Sequence, residues 1–222
     1  MCYYKPMKRK IIVLTNYLDK KFENPKCELN YSTPFELLVA VILSAQCTDK
    51  RVNQVTSTLF KEYNTPEQFA NLSSEELERK IHSCGFYKNK AKSIILASKK
   101  IVEDFNGEVP QTPEELMSLA GVGKKTANVV YSVAYGGDAI AVDTHVFRVS
   151  NRLGIVRAKT PEETERQLQS VFPKEVWSKI HYQLVLFGRY HCTARSPKCS
   201  ECELSGECDY FVTKYSNKTI NI

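Results

Sequence analysis

Apolar residues recur along the chain at helical intervals, and no segment shows the alternation of a half-buried strand. Residues 7–22 place Ile11, Leu14 and Leu18 on one stripe, which predicts an amphipathic helix. The run Leu37–Leu43 is apolar on every side, which predicts a central, buried helix. These patterns favour an all-α fold with about ten short to medium helices.

Capping sequences mark several helix starts. A threonine, a proline and then a glutamate or glutamine three residues after the threonine occur together at Thr33, Thr65, Thr112 and Thr160. Ser73 begins a fifth capping box. Asp49 is expected to cap the helix that follows the buried one. Further helices are predicted at about 50–62, 74–83, 88–106, 123–135, 144–153 and 174–190.

The charge balance and the absence of long apolar runs narrow the class of protein. Of 222 residues, 31 are basic and 25 acidic, and the net charge of +6 favours a polyanionic partner. No run approaches the roughly 18 apolar residues of a membrane-spanning helix, and no signal-peptide core follows the basic N-terminus. These features predict a soluble, intracellular protein without a membrane partner.

A glycine hairpin, residues 119–123, precedes a predicted helix that begins with Lys124 and Lys125. Gly121 and Gly123 are expected to allow a tight turn and a close approach to another group. The unpaired amides and the dipole of a helix N-terminus favour an anion, and a nucleic-acid phosphate suits two adjacent lysines. An ordinary helix–helix connection with solvated lysines is the alternative.

Four of the eight cysteines form a compact group near the C-terminus: Cys192, Cys199, Cys202 and Cys208. In a reducing compartment such a group favours metal binding over disulfides. The spacing favours an iron–sulfur cluster with four thiolate ligands, and zinc is the alternative. Arg195 and Lys198 lie inside this loop, either as solvated charges or as phosphate contacts. Cys2, Cys27, Cys47 and Cys84 are expected to be small buried or half-buried residues.

The sequence Val142-Asp143-Thr144-His145 places a carboxylate at the predicted start of a helix. Asp143 is expected to act as an N-cap, as a catalytic carboxylate, or as both.

The hairpin with its lysine, the Val-Asp-Thr-His sequence and the cysteine loop occur in this order. In this combination the chain resembles the endonuclease III family, the iron–sulfur DNA glycosylases and abasic-site lyases of the helix–hairpin–helix superfamily. The resemblance implies a two-lobed fold, with a six-helix domain at 23–137 that contains the hairpin. It also implies a discontinuous [4Fe-4S] cluster domain formed by 1–22 and 138–222, with DNA in the cleft between the two.

Site roles also follow from the resemblance. Lys125 matches the family's nucleophile and Asp143 its catalytic partner, and the four clustered cysteines match the cluster ligands. Gln46 matches the residue that fills the gap left by an extruded nucleotide. Phe86 lies where the family inserts an apolar wedge, often a leucine. The other residues expected to contact DNA are Gly121, Val122, Gly123, Lys124, Thr126, His145, Arg195 and Lys198.

The implied activity is removal of oxidised or otherwise damaged pyrimidines from duplex DNA, followed by β-elimination at the abasic site. The implied protein is a monomer in the cytoplasm, associated with the nucleoid if bacterial. Thymine- and adenine-mismatch glycosylases of the superfamily are alternatives, although Val39–Ala45 contains no carboxylate of the adenine-removing type. A non-catalytic DNA-binding module and a purely structural or electron-transfer iron–sulfur protein are the remaining alternatives.

Overall fold

A computed structural model describes residues 4–216, with side chains for residues 7–214. Helices and connecting turns make up this whole part of the chain, so the predicted all-α fold is confirmed. The α-helices are α1 (Tyr4–Lys21), α2 (Pro34–Ser44), α3 (Asp49–Glu62), α4 (Pro66–Ala70), α5 (Ser74–Ile81), α6 (Tyr87–Asp104), α7 (Pro113–Met117), α8 (Lys124–Tyr135), α9 (Thr144–Leu153), α10 (Pro161–Val171), α11 (Trp177–Tyr190) and α12 (Asp209–Ser216). Short 3-10 helices span Lys174–Val176, Cys199–Glu201 and Ser205–Glu207.

The chain divides into two compact units, Cys27–Gly137 and Met1–Lys26 together with Asp138–Ile222. In the first unit α2 packs against α3, α6 and α8. All its residues from Phe35 to Leu43 are buried, which confirms the predicted central helix. Even Glu36 is buried there, and its carboxylate accepts a hydrogen bond of 2.6 Å from the Ser32 amide.

The capping predictions hold at each threonine-proline start and at Ser73, because each of these side chains accepts a bond from the N3 amide. One prediction was wrong. Thr48, not Asp49, caps α3, and its hydroxyl accepts a hydrogen bond of 3.3 Å from the Arg51 amide. Asp49 is the first helical residue instead, where its charge favours the positive end of the helix dipole.

The second unit is built around α9 and α11, which pack against each other, with α1 on α11 and α12 on α9. Its core includes the fully buried Leu18, Leu168 and Leu184. The sequence pattern did not predict α12, which follows directly after the last clustered cysteine. Among the described residues, none of the helices has the length and apolar character needed to cross a bilayer.

Candidate functional site

The glycine hairpin is held against two neighbouring helices. Gly121 has φ of +77°, and a Cβ on it would lie 2.6 Å from the Ser93 Cβ on α6 and 3.9 Å from Ile42 on α2. The next residue, Val122, is buried in the core of the unit. The predicted tight turn and close approach are therefore confirmed at Gly121, where only glycine avoids both strain and collision.

Gly123 has a different environment. Its φ of −87° is open to any residue, and a Cβ on it would meet nothing within 4 Å. The expectation that both glycines serve the turn was wrong at this position. The missing side chain instead leaves free space beside the backbone, directly before α8.

The N-terminus of α8 carries charges opposite to those that a helix normally places there. Gly123 supplies no capping side chain, no acidic residue stands in the first turn, and Lys124 and Lys125 are both exposed. The first intrahelical bond is the Ala127 amide to the Gly123 carbonyl at 2.9 Å, so the amide of Thr126 lies before it. Positive side chains oppose the dipole at this end, and a bound anion would remove that conflict.

Gln46 and Phe86 lie on adjacent loops of the same unit. Both have positive φ, 53° and 58°, although neither is glycine. The two loops approach each other at Gly85, which directly precedes Phe86: a Cβ on Gly85 would be 3.7 Å from the Gln46 carbonyl oxygen. Phe86 is 64% exposed. A large apolar ring on the surface, held on a strained backbone, is typical of a binding residue.

In the other unit, Asp143 caps α9. Its Oδ1 accepts hydrogen bonds of 2.8 Å from the amides of His145 and Val146, which confirms the predicted N-cap. No hydrogen bond from the described residues reaches Oδ2, so this oxygen is available to a ligand. Arg148 Nη2 lies 3.2 Å from Nδ1 of His145. Burial also lowers the pKa of His145.

The four clustered cysteines line one cavity, with an empty volume of about 320 Å³ that is partly open to solvent. Among the residues described, no three metal-binding side chains converge closely enough to hold a single ion. Burial raises the pKa of the Cys202 and Cys208 thiols, and the other cysteines of the loop add to the effect. A bound cationic centre would reverse this effect, because it deprotonates the thiols that it binds.

A buried histidine beside the four cysteines supports an iron–sulfur cluster in this cavity. His191 lines the cavity and is 6% exposed, and its Nε2 has no hydrogen-bond partner among the described residues. A buried nitrogen without a partner is costly unless a ligand accepts its proton. The sulfur atoms of an iron–sulfur cluster are such acceptors.

Two arginines of α9, which no sequence motif marks, bind the backbone at the start of the cysteine loop. Arg148 donates to the carbonyls of Gly188 (2.8 Å) and Cys192 (3.0 Å). Arg152 donates to the carbonyls of Thr193 (2.7 Å) and Ala194 (2.8 Å) and lies over the ring of Tyr210. Their spacing of four residues on one helix was visible in the sequence, but their carbonyl partners were not. Arg195 and Lys198, farther along the loop, are exposed.

Two family matches cover most of this architecture. Residues 39–174 match the HhH-GPD superfamily of base excision DNA repair proteins, and residues 192–208 match the iron–sulfur binding domain of endonuclease III. The second match spans the four clustered cysteines, and it decides between the two metals: the cofactor is a [4Fe-4S] cluster rather than zinc.

Individual relatives agree with these matches. The endonuclease III of Bacillus subtilis is 57% identical over 84% of this chain and 86% of its own length. That of Escherichia coli K12 is 43% identical over 91% and 96%.

Solved structures give the same result. A trapped covalent intermediate of an endonuclease III with DNA superposes with a TM-score of 0.90 at 48% identity, covering 93% of this chain and 98% of that one. A thermostable thymine-DNA glycosylase shares the fold, with a TM-score of 0.82 at 22% identity and coverage of 93% and 98%. On the helices, the hairpin and the cysteine loop together, the chain belongs to the endonuclease III family, within the HhH-GPD superfamily of base excision DNA repair proteins.

Proposed function

We propose that the chain removes oxidised or otherwise damaged pyrimidines from duplex DNA and that Lys125 carries out the covalent step. Members of its family are DNA glycosylases with abasic-site lyase activity. The observation that carries the assignment to Lys125 is the N-terminus of α8, with an exposed lysine pair, no acidic residue and open space at Gly123. A covalent intermediate with DNA has been trapped for a related endonuclease III.

The damaged nucleotide must leave the base stack before a side chain can reach its sugar. Unstacking costs a few kcal/mol, least at damaged pairs. Phe86 and Gln46 would occupy the space that the nucleotide leaves, because the exposed ring and the amide stand on neighbouring loops.

Lys125 then attacks C1′ of the extruded nucleotide, and the bond between C1′ and the base breaks. The resulting Schiff base activates the sugar for β-elimination, which cleaves the strand on the 3′ side. The lysine must lose a proton before it attacks. We assign that proton to the free Oδ2 of Asp143, while Oδ1 remains bonded to the α9 amides.

The remaining residues bind the backbone and hold the cofactor. Gly121, Val122 and Gly123 shape the hairpin that receives a phosphate at the α8 N-terminus, together with Lys124 and Thr126. Cys192, Cys199, Cys202 and Cys208 would hold the cluster, which pins the loop that carries Arg195 and Lys198. His145 would contact the DNA. We infer a cytoplasmic monomer that acts on chromosomal DNA.

Borohydride trapping on duplex DNA with an abasic site tests the proposal. Lys125→Ala should abolish the trapped adduct and retain affinity for a reduced abasic analogue, while the matched Lys124→Ala should still trap. An adduct that persists in Lys125→Ala would remove this residue from the nucleophile role. Duplexes with an oxidised pyrimidine or a G·T mismatch, compared in parallel, separate the proposed substrate from that of a thymine-mismatch glycosylase.

A further inference from the structure

A buried lysine joins the two helix ends beside Gln46 and Phe86. Lys90 is 6% exposed, and its Nζ donates a hydrogen bond of 2.8 Å to the carbonyl of Leu43 in the last turn of α2. Lys90 itself stands in the first turn of α6, where its amide donates to the Phe86 carbonyl at 3.1 Å. One residue therefore links the end of α2, three positions before Gln46, to the start of α6.

The end of α2 needs a donor from outside the helix. The last carbonyls of a helix have no partner within it, and an unpaired carbonyl in the protein interior is costly. The amide of Cys47, four residues after Leu43, bonds instead to the Ser44 carbonyl at 3.0 Å. The Lys90 amine therefore caps the Leu43 carbonyl, and its positive charge suits the negative end of the helix dipole.

The backbone between these helix ends is held in an unusual conformation. Gln46 and Phe86 have positive φ, 53° and 58°, which residues other than glycine keep only where the surrounding structure holds them. The loops approach each other, because a Cβ on Gly85 would lie 3.7 Å from the Gln46 carbonyl oxygen. The helices α2 and α6 also pack against each other. The Lys90 hydrogen bond adds a directional contact to this packing.

We propose that Lys90 is a positioning residue for the opening of the duplex. By tying the end of α2 to the first turn of α6, it holds the side-chain amide of Gln46 and the ring of Phe86 at a fixed spacing. The two side chains then enter the gap left by the extruded nucleotide together, and filling that gap offsets the cost of unstacking. Side chains held in place before binding lose less entropy when they bind. This inference rests on the proposed function.

Lys90→Met in the full-length, cluster-loaded protein tests this role, because methionine can fill the buried space but donates no hydrogen bond. Lys99→Met is the matched control, since Lys99 is exposed on the same helix and loses the same charge. A duplex with 2-aminopurine next to a damaged pyrimidine reports unstacking as a rise in fluorescence. At saturating protein, Lys90→Met should give a smaller rise than the wild type, and Lys99→Met should equal the wild type. An unchanged rise in Lys90→Met would overturn the proposal.

Strand cleavage separates positioning from a general effect on the fold. The same damaged pyrimidine is placed in a normal pair and in a mispaired site, where unstacking costs less. Single-turnover cleavage by Lys90→Met should be about tenfold slower than wild type at the normal pair, since small displacements of positioning residues cost up to about a hundredfold. The loss should be clearly smaller at the mispaired site. Equal slowing at both sites would mean that Lys90 only supports the fold, and would overturn the proposal.

Lys90→Gln covers the case in which the methionine variant does not fold. Its side chain is one bond shorter, which withdraws the donor from the Leu43 carbonyl, but it can still bond to water. It should show the same difference between the two sites, and a glutamine variant without that difference would overturn the proposal. A wild-type chain that raises the fluorescence but cleaves neither duplex would count against the proposed function alone, because the comparison of fluorescence between the variants would still measure the role of Lys90.

Discussion

At the scale of single residues, two glycines separated by one residue have opposite reasons to be glycine. Gly121 is required by the fold, because of its positive φ and its approach to Ser93. Gly123 is not required by the fold, because its backbone is extended and its surroundings are empty. If the space beside Gly123 receives a DNA phosphate, substitutions at the two positions should separate stability from binding.

We predict that Gly121→Ala lowers the free energy of unfolding by about 1–3 kcal/mol, the cost of a strained backbone. Gly123→Ser should leave the thermal midpoint unchanged or raise it, because serine is a good N-cap, yet it should weaken DNA binding. Thermal melts and titrations with an abasic duplex measure the two effects. Unaltered affinity in Gly123→Ser would mean that no phosphate approaches this position.

Substitutions at Asp143 can likewise separate an effect on stability from an effect on activity. Asn caps a helix about as well as Asp, so Asp143→Asn should melt like the wild type and lose most of its cleavage activity. Asp143→Ala should lose the cap as well, at a cost of about 0.5–2 kcal/mol. Melting curves and single-turnover cleavage distinguish the variants. Near-normal turnover in Asp143→Asn would reduce this residue to a cap.

His145 gives the stability a pH dependence. Burial lowers its pKa in the folded chain, so below about pH 6.5 the unfolded state takes up a proton that the folded state does not. Stability should therefore fall as the pH drops from about 7 to about 5.5. The thermal midpoint of the wild type should decrease more over this range than that of His145→Gln. An equal decrease of the thermal midpoint in the two proteins would contradict this role of His145 in the pH dependence.

At the scale of elements, side-chain caps fix most of the helix starts. In the described part of the chain, seven helices begin at Thr, Ser or Asp side chains that accept amide bonds. Three helices have no such bond: α6 at Phe86, α8 at Gly123 and α11 at Val176. Capping chemistry is local, so the sequence predicted most of these starts. The starts of α6 and α8 belong to the proposed DNA interface, and the α11 start follows directly on a short 3-10 helix.

A second element-level feature is the attachment of the cysteine loop to α9. Arg152→Lys keeps the charge but loses the planar fork that bonds two carbonyls, so we expect faster iron release to a chelator. Arg157→Lys is the matched control, because Arg157 is 88% exposed and makes only a weak ion pair of 3.9 Å. The decay of visible absorbance measures the release. Equal rates for the two variants would show that α9 does not secure the loop.

At the scale of the whole molecule, the sequence predicted the fold class and the central helix because both depend on hydrophobic periodicity. It failed where distant residues decide the outcome. Lys90 is buried, and its Nζ donates a hydrogen bond of 2.8 Å to the Leu43 carbonyl at the end of α2, a partner 47 residues away in the sequence. The left-handed backbones of Gln46 and Phe86 have no glycine to reveal them.

The central claim is that one amine, at the second position of α8, becomes bonded to deoxyribose. The most direct test is mass spectrometry of the wild-type adduct, trapped by borohydride on an abasic duplex and digested with nuclease and protease. We predict a deoxyribose-derived mass on Lys125 alone. A modified Lys124, another modified lysine, or no modified lysine in a chain that still cleaves the duplex would contradict it.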